Sequence, residues 1–182
     1  MPTQLFEDHA AELHWLAYLF TGSHDRGVRA FTKALNSEDY ANPAMADFMV
    51  SWSRKLVIGA SLETIRPQLL ESAWRTMHAE DPDPATLLAL RPVDQMTAPE
   101  LERALLAIDL FPRCALLLTM FEKLSLDDAA LLLNADKALV RKAQGQGLLE
   151  LAGAVAGGGG LGRARMAANA FHLRLRYVEM LT

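Results

Sequence analysis

Apolar residues recur at intervals of three and four along almost the whole chain, and hardly any run of β-branched residues alternates with polar ones. That period belongs to a helix with one buried face; a strand would need a period of two. The predicted fold class is therefore all-α. A first domain over residues 1–79 is expected to hold four helices. The first, 6–20, places Leu13, Leu16, Ala17 and Phe20 on one face and ends at Thr21-Gly22-Ser23. The second covers 25–35. A polar loop at 36–43 leads into a third over 44–65, carrying Phe48, Trp52, Leu56 and Leu62, and Pro67 then separates it from a fourth over 67–78.

Residues 80–98 are rich in Pro and Asp and are expected to be a linker, with at most one helical turn at 86–90. A second small domain follows over 99–152, with helices at 101–110 and 113–122 before the most strongly punctuated stretch of the chain, "LSLDDAALLLNADKALVRKAQGQGLLEL" at 124–151. Ser125 and Asp128 fit the S-x-x-[DE] capping box. Asn134 stands where a turn needs a residue that tolerates left-handed angles. Asp136 can cap a second helix with Val140, Leu148 and Leu151 on roughly one face. Two short helices joined by a tight turn, the helix-turn-helix arrangement, are the result. Gly145 and Gly147 each cost a helix interior about 1 kcal/mol relative to Ala, which predicts a second helix that is short or frayed. Residues 153–162 read as a flexible Gly-rich joint. Beyond it, residues 163–182 form an amphipathic pattern in which Met166, Ala170, Leu173, Tyr177 and Met180 lie on one face that wants a partner.

Composition closes off several function classes. No apolar run is long enough to span a bilayer, and no basic, apolar leader opens the chain, so a cytoplasmic protein without a membrane anchor is expected. The sole cysteine, Cys114, has no partner for a disulfide and no base beside it, and reads as a small core residue in a reducing compartment. The five histidines are scattered, and His9 and His14 are five apart where ligands on one helix face would be four apart, so no metal is expected. The glycine run follows no strand and precedes no Gly-Lys-Ser/Thr, so it is not a phosphate loop; no nucleophile elbow or zinc-protease motif occurs either. An enzyme is the poorest class, and no cofactor is expected. Trp15, Trp52 and Trp74 fall in helical patterns with apolar neighbours, which favours core packing over stacking on unpaired bases.

The net charge of −4 hides an asymmetry. From Lys137 onward seven basic residues face two acidic ones, so that segment carries +5 and the rest −9. A basic end could meet nucleic acid, although charges this sparse fit solvated helix faces better.

The order of these parts resembles a bacterial extracytoplasmic-function sigma factor, the smallest form of the RNA polymerase sigma-70 family. Residues 101–151 carry most of the likeness: a leucine-rich helix, a Pro-containing bend, a second apolar helix and an opening similar to "G-L-S-x-E-E-I-A-x-x-L-G". Lys123-Leu124-Ser125 stands at Gly-Leu-Ser, Asp127-Asp128 at the acidic pair, Ala130 at the tightly packed alanine and Leu133-Asn134 at Leu-Gly. In the first half, "LAYLFTGSHDRGVRAFTKAL" at 16–35 is similar to the family's "A-x-x-L-T-G-(gap)-D-L-V-Q-E-T-F-L-R-A-L". "WSRKLVIGASLETIR" at 52–66 resembles its Trp-led third helix, keeping Trp52, Leu56, Glu63 and Arg66.

The resemblance implies a transcription factor that binds RNA polymerase core through its first domain and promoter DNA through both, under the control of an anti-sigma factor. On the second helix Asp25, Arg29 and Lys33 would meet polymerase; at the family's recognition helix Lys137, Arg141, Lys142 and Gln144 would meet DNA. The chain departs from the family where function lies. One carboxylate, Asp25, remains where the polymerase-docking helix has several, and Ile58-Gly59 replaces Arg-Asn on the third helix. Ala143, Gln146 and Leu148 stand where the recognition helix has arginines, which removes phosphate contacts and bidentate base readers together. Two functions are therefore open: a weak promoter-binding initiation factor, or a degenerate sigma-like protein that binds an anti-sigma factor, another sigma or polymerase without reading DNA.

Overall fold

The computed structural model describes residues 2–36, 49–89 and 97–157, and every regular element among them is helical. The all-α expectation holds for the described residues. They divide into two compact units, the first ending at Pro67 and the second beginning at Gln68.

The first unit contains α1 (Pro2–Thr21), α2 (His24–Leu35) and α3 (Met49–Thr64). Its core is built from Leu13 and Ala17 of α1, Ala30 and Ala34 of α2, and Val57 and Ala60 of α3, with Phe31 and Leu56 packed at the edge. So many alanines bring the helix axes close. Gly27 continues the pattern, because a β-carbon there would sit 3.1 Å from the backbone nitrogen of Tyr18. The expected break after α1 is present: Gly22 turns the chain at φ 65°, and its N–H bonds the Tyr18 carbonyl at 2.8 Å. The loop at 36–43 lies, apart from Asn36, outside the described residues, as does the start of the expected third helix.

The second unit contains α4 (Arg66–His78), all but its first two residues, then α5 (Pro84–Ala89), α6 (Ala98–Ala107), α7 (Leu110–Leu116), α8 (Leu126–Leu133) and α9 (Lys137–Gly157). A π-helical turn, Leu117–Phe121, continues α7. Leu101, Leu105, Ile108, Phe111, the run Cys114 to Leu118, Ala129, Leu133, Val140, Ala143 and Leu151 are all buried and form its apolar interior. Arg113, 5% exposed, lies among them and donates from Nη1 to the carbonyls of Leu106 and Ile108, satisfying acceptors left open where α6 ends.

Several boundaries differ from those the sequence predicts. The first domain was expected to end at residue 79, but α4 belongs with the second unit because its buried face is used there. Ser72 Oγ donates to Asp109 and accepts from the N–H of Phe111, while Arg75 grips Asp109 through Nε and Nη2 at 3.0 and 2.9 Å. Residues 80–89 of the expected linker also pack there: Asp83 accepts the N–H groups of Ala85 and Thr86 and so caps α5. Residues 90–96 lie outside the described residues. α6 starts earlier than expected, at a complete capping box in which Thr97 and Glu100 bond each other's backbone. The break after α6 falls at Asp109, which caps α7 and leaves Pro112 harmlessly inside the first turn.

α9 is neither short nor frayed at its glycines. Gly145 and Gly147 are buried within a continuous 21-residue helix. A β-carbon on Gly147 would lie 3.0 Å from the Pro112 carbonyl oxygen. These glycines are spacers that let α9 press against its neighbours, and the packing offsets their intrinsic cost. The first five residues of the expected joint, Gly153 to Gly157, are the last residues of α9. The rest of the joint and the predicted helix at 163–182 lie outside the described residues.

Candidate nucleic-acid interface

The pair α8 and α9 is organised by local chemistry. Ser125 Oγ accepts the N–H of Asp128 at 3.0 Å, as a capping residue should. The Asp128 carboxylate takes the Ser125 hydroxyl at 2.6 Å, so half of the expected reciprocal box is replaced by a side-chain bond. Asn134 ends α8 in the left-handed region at φ 51°, and the N–H of Ala135 returns to Ala130 O. Asp136 then caps α9 through a 2.7 Å bond from the Leu139 N–H. Lys123, at φ 54°, shares the left-handed conformation, at the position where the resemblance aligns a glycine.

Of the side chains expected to meet DNA, Lys137, Arg141 and Gln144 stand at i, i+4 and i+7 on one face of α9, but three of the four already have partners within the fold. Lys137 is exposed, but its Nζ pairs with Asp127 Oδ2 at 2.8 Å. Lys142, with only 17% of its side chain exposed, turns toward the end of α4. Its ammonium donates to the carbonyls of Met77, at 3.2 Å, and Ala79, and pairs with Asp81 at 2.9 Å. A cation placed among the open carbonyls at a helix C-terminus answers both the unsatisfied acceptors and the negative end of the dipole. Gln144 donates to Thr119 Oγ1 in the π-helical turn, and Gln146 to the carbonyl of Glu80. Arg141 alone of the four expected readers is exposed without an ion-pair partner among the described residues.

The α8–α9 pair also exposes acidic and apolar residues. Asp127, Asp128 and Asp136 are exposed, and Leu131 and Leu132 are 80% and 37% exposed on the outer side of α8. With Lys137 already neutralised by Asp127, a phosphate backbone approaching the α8–α9 pair would find few unpaired cations among exposed carboxylates. Coulomb repulsion and desolvation both oppose that contact.

In the first unit Asp25, Arg29 and Lys33 are exposed on successive turns of one face of α2. Lys33 Nζ pairs with Glu63 of α3 at 2.8 Å, and this bond holds the Glu63 carboxyl below its ordinary range. The docking candidates are thus coplanar, with basic charge outnumbering acidic.

Sequence reasoning missed the polar cluster of the second unit. Burial pushes the Asp109 carboxyl up, but bonds from Arg75, the Leu110 N–H and Ser72 outweigh it and hold the group below its usual value. Glu150 lines an open cleft of about 330 Å³ with Asp109, and burial pushes its carboxyl up against the opposing effect of a bond from the Asp109 N–H. The residues meet across 34 positions of chain, so no local pattern could reveal them. Trp74 was expected in the core and is 60% exposed. The buried face of α4 is the polar and small one, Leu69, Ser72 and Thr76, which turns the indole outward.

Among the described residues no cluster of His, Cys, Asp and Glu could hold a metal ion, and no helix is long and apolar enough to cross a membrane. No protein-family model, no curated protein and no solved structure matches the chain.

Proposed function

We propose that this chain is a sigma-like transcription regulator in which the α8–α9 pair, a helix-turn-helix by its caps and turn, contacts protein instead of reading bases. Lys142 carries the reading. At the helix that would enter the major groove, its ammonium is bonded to the end of α4, and Gln144 and Lys137 are engaged by Thr119 and Asp127. What the pair offers outward is Leu131 and Leu132 rimmed by Asp127, Asp128 and Asp136. Exposed leucines with an acidic rim suit a protein partner that brings apolar and basic groups. In a regulator of this kind the partner is RNA polymerase core, an anti-sigma factor or another sigma, met in the cytoplasm.

The alternative is a promoter-binding initiation factor, and the observation that favours it is the exposed Arg141 on the first turns of α9. One free cation supports a salt dependence of about one log of affinity per log of salt. Titrating the full chain and its Arg141→Ala variant against random and selected duplexes at several salt concentrations separates the two. The protein-contact reading expects weak, unselective binding. Tight, sequence-selective binding abolished by Arg141→Ala would restore the promoter-reading function. Affinity capture from the source cell, scored for polymerase and sigma-regulating proteins and repeated with Leu131→Asp, tests the partner directly.

A further inference from the structure

The cleft lined by Asp109 and Glu150 lies wholly within the second unit, and its volume of about 330 Å³ is at the lower end of the range that small-ligand sites occupy. Its two carboxylates differ in how far their hydrogen bonding is complete. Asp109 accepts from the Ser72 hydroxyl, from Nε and Nη2 of Arg75 and from the Leu110 N–H. Those bonds fill the roughly four acceptor directions of a carboxylate. Glu150 accepts only the Asp109 N–H, and no cation pairs with it among the described residues. Its side chain is exposed to solvent, so the open directions can be reached.

The charge of the cleft is unbalanced in the same sense. Arg75 is the one cation among the described residues that line it. Its Nε and Nη2 are given to Asp109 and its Nη1 to Glu71 at 3.1 Å. One guanidinium thus serves two carboxylates, and Glu150 adds a third negative charge with nothing to offset it. An anion would be repelled here and a cation drawn in.

Ala79, Pro112 and Leu149 give the same cleft an apolar lining. A cation that suits both kinds of surface carries an alkyl stem behind its charge. One acceptor direction of Glu150 is already taken by a backbone N–H, which disfavours a planar fork that needs both oxygens and leaves room for a compact ammonium with rotatable donors. We propose that this cleft binds a primary alkylammonium group, its charge on Glu150 and its stem against Pro112 and Leu149. A free diamine and a lysine side chain of a partner protein present that same chemistry.

Glu150 is also the reporter. The full chain is isotopically labelled at its glutamate carboxyl carbons, and the Glu150 resonance is identified by its loss in Glu150→Gln. Cadaverine and N-acetyl-lysine methylamide are then titrated at constant ionic strength, with tetramethylammonium as a cation that has no N–H donors. The Glu150 resonance is expected to move along a saturable curve with the amines while the other glutamates do not. Tighter saturation by the lysine amide would assign the site to a partner's side chain, and tighter saturation by cadaverine to a free diamine. A response no larger than that to tetramethylammonium, or one shared by the other exposed glutamates, would overturn the proposal. Leu149→Ser should raise the half-saturating amine concentration several-fold; an unchanged value would contradict the placement of the stem.

Discussion

Gly145 lies so close to Pro82 that a β-carbon on it would fall 2.7 Å from the proline Cγ. The glycine is what allows α9 to lie against the segment between α4 and α5, and the opposite behaviour is expected where a helical glycine faces open space. At Gly59, in α3, nothing lies within 4 Å of a built β-carbon. Gly59→Ala should therefore stabilise the protein by about 0.5–1 kcal/mol through helix propensity alone. Gly147→Ala meets the Pro112 carbonyl at 3.0 Å and should destabilise by about 1 kcal/mol despite the same gain in propensity. Urea unfolding of the two variants checks the contrast in sign.

Lys142 acts in this structure as the cap of α4. Lys142→Met keeps the aliphatic stem but removes the donors to Met77 and Ala79, and should cost about 1.5–3 kcal/mol, the range for hydrogen bonds made by a charged group. Arg141→Ala, an exposed change one residue away, should stay within about 0.5 kcal/mol. If both variants unfold at the same urea concentration as the parent, the α4 contact contributes nothing and Lys142 is free for other work.

Asp109 and Glu150 respond to acid in opposite directions. The folded Asp109 carboxyl is held below its ordinary value, so its contribution is complete above the unfolded value near 3.9 and is lost as pH falls through the lower folded value. The Glu150 carboxyl is pushed up, so its charge destabilises the fold at neutral pH, and protonation relieves that cost as pH falls toward the unfolded value near 4.3. Stability should thus rise slightly on mild acidification and drop below about pH 4. Glu150→Gln should remove the rise. Asp109→Ala, which deletes the α7 cap and the acceptor of Ser72 and Arg75, should cost about 2 kcal/mol at pH 7. Thermal unfolding between pH 3 and 7 measures all three.

Lys123 holds a left-handed backbone that glycine adopts without strain. Lys123→Gly should stabilise by about 1 kcal/mol, less whatever its side chain contributes. Asn134→Ala, at the matching position after α8, should cost a similar amount because alanine lacks asparagine's tolerance of that region. Melting temperatures moving in the same direction for both variants would contradict the backbone argument.

Burial pushes the Cys114 thiol up to about 12, against a smaller opposing effect of Arg113. At neutral pH almost no thiolate forms, so thiol reagents should label the native chain only at the rate of its unfolding. Labelling rates followed across urea concentrations provide the measurement.

The parts legible in the sequence are those decided within one turn of chain. Ser125, Asn134 and Asp136 announce a helix, a stop and a new start because each cap bonds a backbone group within a few residues. The same kind of signal was present in Thr97 and Glu100 and was missed among the prolines of the expected linker. The boundary at Pro67 was hidden because proline fits the first turn of α4 and so reads as a helix start, although the first unit ends there. What could not be read is every relation that needs two distant segments. Lys142 looks like a DNA contact until its acceptors 63 and 65 positions away are known. Gly145 and Gly147 look like weaknesses until their neighbours are in place.

The π-helical turn at Leu117–Phe121 has a consequence for how this chain can change length. A π turn holds one residue more than the same stretch of α-helix, and here it closes α7, with only the segment at 122–125 between it and α8. Deleting a single residue there would convert it to ordinary α-helix without turning the buried side of α7, Phe111 and Cys114 to Leu116, away from its neighbours. The half-buried Thr119, which bonds Ala115 O and receives Gln144, is the residue whose loss would leave a gap to refill. Insertions and deletions are ordinarily confined to loops; here a one-residue deletion at the end of a packed helix should be tolerated as well.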